Sequence, residues 1–334
     1  MSTRERIATL VVLATLLLVG AWSDVSFACE YCMLSQGLSP LQTSTGIGVR
    51  IDERYTVLDK LYDGTSKVDN PGAKETFLTT QVTGFYAINE NLTALLVVPY
   101  AHKTMRDVEV DDSTSPPTET VTTGDSTGLG DIALMGRYIF YKRHALDSTA
   151  LLAGQLGVKL PTGATDARDD NGDFMDAHIQ PGTGSTDFLL GLNGSYALGR
   201  STLSSSILYL IDGQGKAGDD YHQFGNMLNY DVTGLYRIYP ATPPGPTVSV
   251  ALGIAGEWRG DEQLNEAPGS ATMVDVGGRG HVMYLNTGLL FIPYPTWIAE
   301  FNYRPAIYHN LPLSDEGNQL GEKYKMVVSL THTF

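Results

Sequence analysis

The chain has 334 residues, with 37 aspartates and glutamates against 22 lysines and arginines, for a formal net charge of −15. That balance excludes a basic, nucleic-acid-binding surface. Beyond the first 28 residues no run reaches the ~20 apolar residues that a membrane helix needs, so a membrane protein built from this chain must cross with strands. The first stretch is of a different kind. Arg4, Glu5 and Arg6 precede an apolar run from Ile7 to Gly20, and Ser26-Phe27-Ala28 follows, the organisation of a secretory signal peptide over 1–28.

Residues 29–45 show no period and hold both cysteines, in Cys29-Glu30-Tyr31-Cys32-Met33. They are expected to form a periplasmic N-terminal segment able to plug a lumen. An oxidising periplasm makes a disulfide the default, and two thiolates with Met33 could instead hold a soft ion such as Cu(I). No histidine follows Cys32, which excludes c-type haem attachment.

From residue 46 to 334 the sequence reads as strands: 46–58, 75–88, 92–105, 128–141, 150–161, 186–197, 201–211, 224–239, 247–258, 281–292, 296–308 and 323–334. The hairpin from Gly128 to Gly163 shows the pattern best. Ile132, Leu134, Tyr138 and Phe140 share one parity, and Asp131, Ala133, Met135 and Arg137 the other. Leu152, Leu156, Val158 and Leu160 then alternate with Ala153, Gln155, Gly157 and Lys159. Period two with one continuous apolar face and one charged face places lipid outside and water inside. The 18 tyrosines suit the aromatic girdles of such a barrel.

The links alternate in length. Links 89–91, 142–149, 198–200, 240–246 and 293–295 are short and several carry Asn or Pro turn chemistry. Links 59–74, 106–127, 162–185, 212–223, 259–280 and 309–322 are long. The expected fold is therefore all-β: a 12-stranded antiparallel transmembrane barrel with short periplasmic turns, long outer loops and both termini periplasmic. The last strand ends in Phe334, with Leu330, Val328, Met326 and Tyr324 on its parity. That is the pattern expected to engage the barrel insertion machinery.

Three motifs in 128–197 carry a family resemblance. Gly128-Leu129-Gly130-Asp131 opens one strand, Leu160-Pro161-Thr162-Gly163 closes the next, and Pro181-Gly182-Thr183-Gly184-Ser185-Thr186-Asp187 opens the one after. In their order and spacing the chain resembles the outer-membrane transporters or porins named for the meta-pathway of phenol degradation. The resemblance implies a barrel that passes small, hydrophobic or aromatic molecules, and supplies no catalytic residues. A weaker likeness, through the Cys-x-x-Cys, is to the larger barrel sheaths of porin–cytochrome conduits.

The inward parity collects Arg50, Asp52, Arg54, Asp131, Arg137, Lys159, Asp187, Asp231, Arg237, Glu257, Glu300 and Arg304, with Lys323 and Lys325. These line the lumen on this reading, either as cross-strand pairs or as a selectivity constriction. The excess acid sits in the long links, among them Asp107, Glu109, Asp111, Asp112, Glu119 and Asp125. Asp166, Asp169, Asp170 and Asp173 resemble a Ca²⁺ loop in composition but lack the EF-hand spacing and closing Glu. A divalent cation shared between these loops and lipopolysaccharide is the broader expectation. His102, His178, His222, His281 and His309 show no metal-ligand spacing and read as surface residues. Serines occur in no Gly-x-Ser-x-Gly context, so no enzyme is expected. The function expected is an outer-membrane channel for small solutes through a narrow polar lumen. The alternatives are a barrel docking a periplasmic redox or metal partner through Cys29 and Cys32, or a structural or adhesive protein acting through its acidic loops.

Overall fold

The computed structural model of the chain describes residues 46–111, 118–218, 220–240, 245–265, 272–313 and 318–334. The expected signal peptide and the 29–45 segment, with Cys29, Cys32 and Met33, lie outside these residues, as does Asp112.

Among the described residues the regular elements are strands. They are β1 Ile47–Asp63, β2 Ser66–Val68, β3 Lys74–Ala87, β4 Leu92–Asp111, β5 Thr118–Leu129, β6 Ala133–His144, β7 Ser148–Lys159, β8 Asp187–Leu198 and β9 Ser201–Ile211. There follow β10 Gly215–Ala217, β11 Asp220–Gln223, β12 Met227–Tyr239, β13 Thr247–Arg259, β14 Glu262–Asn265, β15 Met273–Gly277, β16 Gly280–Tyr294, β17 Trp297–Asn310 and β18 Gln319–Thr333.

Each main strand pairs antiparallel with the next, and the sheet closes when β18 pairs β1 from Gly48↔Thr333 to Tyr62↔Gln319. Closure removes the free edges that lipid cannot satisfy. β5 and β6 are two halves of one wall strand. β5 pairs the far part of β4 (Tyr100↔Leu129) and β6 the near part (Val97↔Ala133), with a break at Gly130-Asp131-Ile132. β2 is a short return on β1. The wall is thus a closed 12-stranded antiparallel barrel, and its twelve strands are the twelve expected.

Three long links hold structure the sequence did not announce. The 106–127 link is mostly strand, because β4 and β5 continue their ladder to Asp111↔Thr118. Links 212–223 and 259–280 contribute β10, β11, β14 and β15, which form a separate four-stranded sheet at the long-loop end.

Alternation sorts the faces as expected. Leu134, Leu156, Leu192, Val232, Leu252 and Leu289 are exposed on the outside, a girth of apolar surface far beyond what a water-soluble monomer carries. Tyr86, Tyr138, Phe140, Tyr196, Tyr236 and Tyr239 are exposed near the short-turn ends, where a polar tip and an apolar ring suit a membrane interface. The interior departs from an all-polar lumen. Phe85, Leu95, Val97, Met135, Leu189, Leu208, Leu210 and Met227 form one buried apolar cluster running inside β3, β4, β6, β8, β9 and β12. The lumen therefore has an apolar wall facing a charged one.

Several strands carry bulges, and one of them moves a charge out of the lumen. Val57 pairs Tyr324 while Leu58 pairs Glu322, so Lys323 is bulged out of the ladder. A bulge reverses which side chains point inward. Lys323 consequently leaves the lumen and meets Asp59 at 2.5 Å on an exposed surface, and Glu322 is turned in.

Candidate functional site

The long link after β7, residues 160–186, does not extend into solvent. It turns inward. Met175 and Ile179 pack on Leu58 of β1 and Phe77 of β3. Lys103 of β4 donates from Nζ to the carbonyls of His178 (3.0 Å) and Gln180 (2.6 Å), and Ser126 Oγ donates to the Ile179 carbonyl (2.5 Å). Gln180 ties the segment to itself, donating to the carbonyls of Ala167 (3.0 Å) and Met175 (2.8 Å) and accepting from the Ala167 amide (2.8 Å). At its tip His178 Nε2 lies 3.0 Å from Glu75 Oε1.

The segment is anchored where the three sequence motifs converge. Asp131 accepts at Oδ1 from the Gly163 amide (2.8 Å) and at Oδ2 from the Thr183 amide (2.8 Å) and hydroxyl (2.7 Å). Lys159 Nζ sits 3.1 Å from Asp131 Oδ2 and pairs with Asp187 Oδ2 and the Thr183 hydroxyl. Ser185 Oγ (2.8 Å) and the Gly213 amide (2.9 Å) donate to Asp187 Oδ1. The charged side chains are buried and satisfied, which low-dielectric surroundings demand.

The motif glycines allow the close approach. A Cβ on Gly163 would lie 2.6 Å from Gly182 Cα, and one on Gly182 would lie 2.6 Å from Gly163. Gly184 takes φ +67° against the Lys216 backbone. The Gly-x-Gly-Asp, Pro-Thr-Gly and Gly-Thr-Gly-Ser patterns thus have one physical cause: two backbones cross in contact, and a carboxylate and an ammonium close the crossing.

Behind the junction lie Asp212 and His222, each only 3% exposed. Asp212 lies against the Asp187 carboxyl, and His222 against the Thr183 backbone. Burial, reinforced by the Asp187 charge, pushes the Asp212 carboxyl up to about 8. Burial, with Lys159 acting in the same direction, holds His222 down at about 4.

The inward segment borders a cavity of about 390 Å³ at the long-loop end, inside the range of small-molecule sites. Leu58, Phe77, Met105, Met227, Val282 and Leu320 give it apolar surface, and Glu75, Lys103, His178, Arg259, Glu257 and Glu322 give it charge. Lys325 Nζ bridges Glu257 and Glu322, at 3.0 Å from each, and the Tyr284 hydroxyl donates to Glu322.

The remaining inward charges lie midway along the wall or nearer the short-turn end. Arg50 meets Asp52 (2.7 Å) and Glu300 (3.0 Å), and Arg304 meets Asp231 (3.4 Å). Arg54 and Arg137 are fully buried on the inward face, and Arg237 is half-buried beside the Gly199 carbonyl. Asp131, Lys159 and Asp187 are the only residues of the expected lumen set brought together at the motif junction. Glu322, Lys103, Gln180 and Asp212 were not singled out by sequence. His222 and His309 are buried, contrary to the surface expectation.

The Asp-rich stretch behaves as a turn. Asp169 Oδ1 accepts from the amides of Asn171 and Asp173, each at 2.9 Å, and Asp170 takes the Thr123 hydroxyl. Among the described residues no group of three or more His, Cys, Asp or Glu side chains is gathered as a metal ion needs.

A closed barrel with an apolar exterior and a charged, partly filled interior is an outer-membrane-type β-barrel. Residues 61–305 match the family described as "Putative MetA-pathway of phenol degradation", and the chain belongs to it. In fold it is similar to an outer membrane channel from Pseudomonas putida F1, with a TM-score of 0.63 and 14% identity over 87% of this chain and 96% of that one. A more distant likeness is to the translocator domain of the autotransporter NalP from Neisseria meningitidis, with a TM-score of 0.42 and 13% identity over 90% and 92% of the two chains. No curated protein sequence matches the chain.

Proposed function

We propose that the protein is an outer-membrane channel that admits small amphipathic molecules, aromatic or hydrophobic on one side and polar on the other. The observation that carries this reading is the cavity at the long-loop end, half apolar and half charged, bordered by a segment of the chain folded into the barrel. Its lining continues into a lumen with one apolar wall and one charged wall. A solute with two faces can keep both satisfied along such a path, whereas an aqueous pore offers its apolar face nothing.

On this reading the long loops face outward, both chain ends face the periplasm, and the exterior belt meets lipid and lipopolysaccharide. Phe334, whose amide donates to the Ile47 carbonyl at 2.9 Å beside the closing seam, presents the C-terminal strand to the insertion machinery. The inward charged residues from Arg50 to Arg304 act as the selective lining.

Uptake into proteoliposomes tests the assignment. Phenyl glucoside, which does not cross lipid unaided, enters through the wild-type protein. Leu320→Trp, which fills the cavity, slows that entry at least fivefold without lowering the yield of folded barrel. Equal entry in both proteins would remove the cavity from the path.

A further inference from the structure

The inward charges are not mixed evenly along the barrel axis. β1 begins at the short-turn end, so Arg50, Asp52 and Arg54 occupy its first half. Arg237 is two residues from the short-turn end of β12, and Arg137 and Arg304 lie midway along β6 and β17. Fewer inward carboxylates lie at this level. Asp52 and Glu300 serve Arg50, and Asp231 serves Arg304. Arg54 is 0% exposed, its Nε and Nη1 have no hydrogen-bond partner among the described residues, and its Nη2 reaches only the Thr79 hydroxyl at 3.4 Å.

The long-loop end is the reverse. Lys159 stands among Asp131, Asp187 and Asp212. Lys325 is shared by Glu257 and Glu322, and Arg259 by Glu257 and Glu262. Three cations, Lys159, Lys325 and Arg259, thus stand among five carboxylates, Asp131, Asp187, Glu257, Glu322 and Glu262. The cavity's other cations, Lys103, Arg106 and the protonated His178, are matched by Glu75, Asp107 and Asp176.

We infer that the lumen carries two charge belts in series, carboxylate-rich at the long-loop end and guanidinium-rich towards the short-turn end, and that together they select uncharged solutes. This rests on the channel reading above. A barrel of twelve strands falls between the ~8-stranded filled barrels and the ~16-stranded aqueous porins. Across so narrow a lumen wall charges are felt throughout, because the Debye length at physiological salt is ~8 Å. An anion is turned back at the first belt. A cation collects there and is stopped at the second. A neutral molecule feels neither barrier and keeps its contacts with the apolar wall.

The test uses three nearly isosteric probes with the full-length protein in liposomes: phenyl glucoside (neutral), phenyl glucuronide (anion) and phenyl glucosaminide (cation). The neutral probe enters at least tenfold faster than either ion. In planar bilayers, KCl current is unequal at the two polarities, because belts of opposite sign gather ions under one polarity and deplete them under the other. Arg54→Gln raises entry of the cation and leaves the anion excluded. Should that variant fail to fold, the wild-type protein in 1 M salt, where the Debye length is ~3 Å, serves instead. Its discrimination among the probes falls and its current becomes symmetric. Entry of all three probes at one rate at low salt, or symmetric current there, overturns the inference. Exclusion of all three removes the channel reading itself, and the inference with it.

Discussion

Lys159 is 2% exposed and sits between two buried carboxylates, 3.1 Å from Asp131 Oδ2 and paired with Asp187 Oδ2. Replacing it with Met removes the ammonium that both buried carboxylates share, and breaking a comparable buried pair costs ~3–5 kcal/mol. The Lys159→Met barrel is expected to lose its compact, heat-modifiable form on gels at a markedly lower temperature than the parent, and an unchanged transition would show that the junction is not structural. The glycines give a sharper contrast. Gly163→Ala puts a methyl group against backbone at 2.6 Å, whereas Gly136→Ala has nothing within 4 Å. Overpacking of the first kind costs ~1–3 kcal/mol, so Gly163→Ala should melt well below Gly136→Ala, which should match the parent. The residues of this junction were legible as motifs, because small residues and a lone Asp in fixed order stand out. Their meeting was not, since nothing in a one-dimensional pattern says that residues 131, 159 and 187 close on one another around a crossing of backbones.

At the scale of elements, the inward segment is held at its tip by His178 and Glu75. Burial alone would lower the imidazole, but the Glu75 carboxylate, helped by Asp176 and Glu262, outweighs it and raises His178 to about 9. Its folded value thus exceeds the ordinary ~6.5. The tether is complete below the ordinary value and is lost as pH rises through about 9. A spin label at Ala177→Cys should be immobile at pH 7 and gain mobility above pH 9. In His178→Gln its mobility should not change with pH. A label that stays immobile at pH 10 in the wild-type background would place the holding force elsewhere, in the Lys103 contacts. Strand assignment by alternation can be checked in the same way: Gln155→Cys should react with a charged, water-borne reagent and Leu156→Cys only with an apolar one. Strands were readable because period two records two different solvents. Loops were not, because acidic, glycine-rich links look alike whether they wave in water, extend a hairpin as β4 and β5 do, or fold into the barrel. The bulge at Lys323 was equally hidden, since a parity rule carries no sign of where the ladder slips.

For the whole molecule, the question is whether the inward segment is part of the wall or a gate within it. The closing ladder between β1 and β18 and the pairing of β7 with β8 run through residues outside 164–180, so the barrel can form without the segment's tip. What the tip supplies is filling: Met175, Ile179 and Gln180 occupy space between β1, β3 and β4. Replacing 166–180 with a short Gly-Ser link while keeping Asp131, Lys159, Thr183 and Asp187 removes that filling and preserves the junction. The shortened protein should still migrate as a folded barrel, pass ions at several times the parent's conductance, and discriminate less between small and large neutral solutes. A folded barrel with parental conductance would mean that the narrowest point lies deeper, among the arginines of the short-turn half. In that case the apolar wall from Phe85 to Met227, rather than the inward segment, would set what the channel passes.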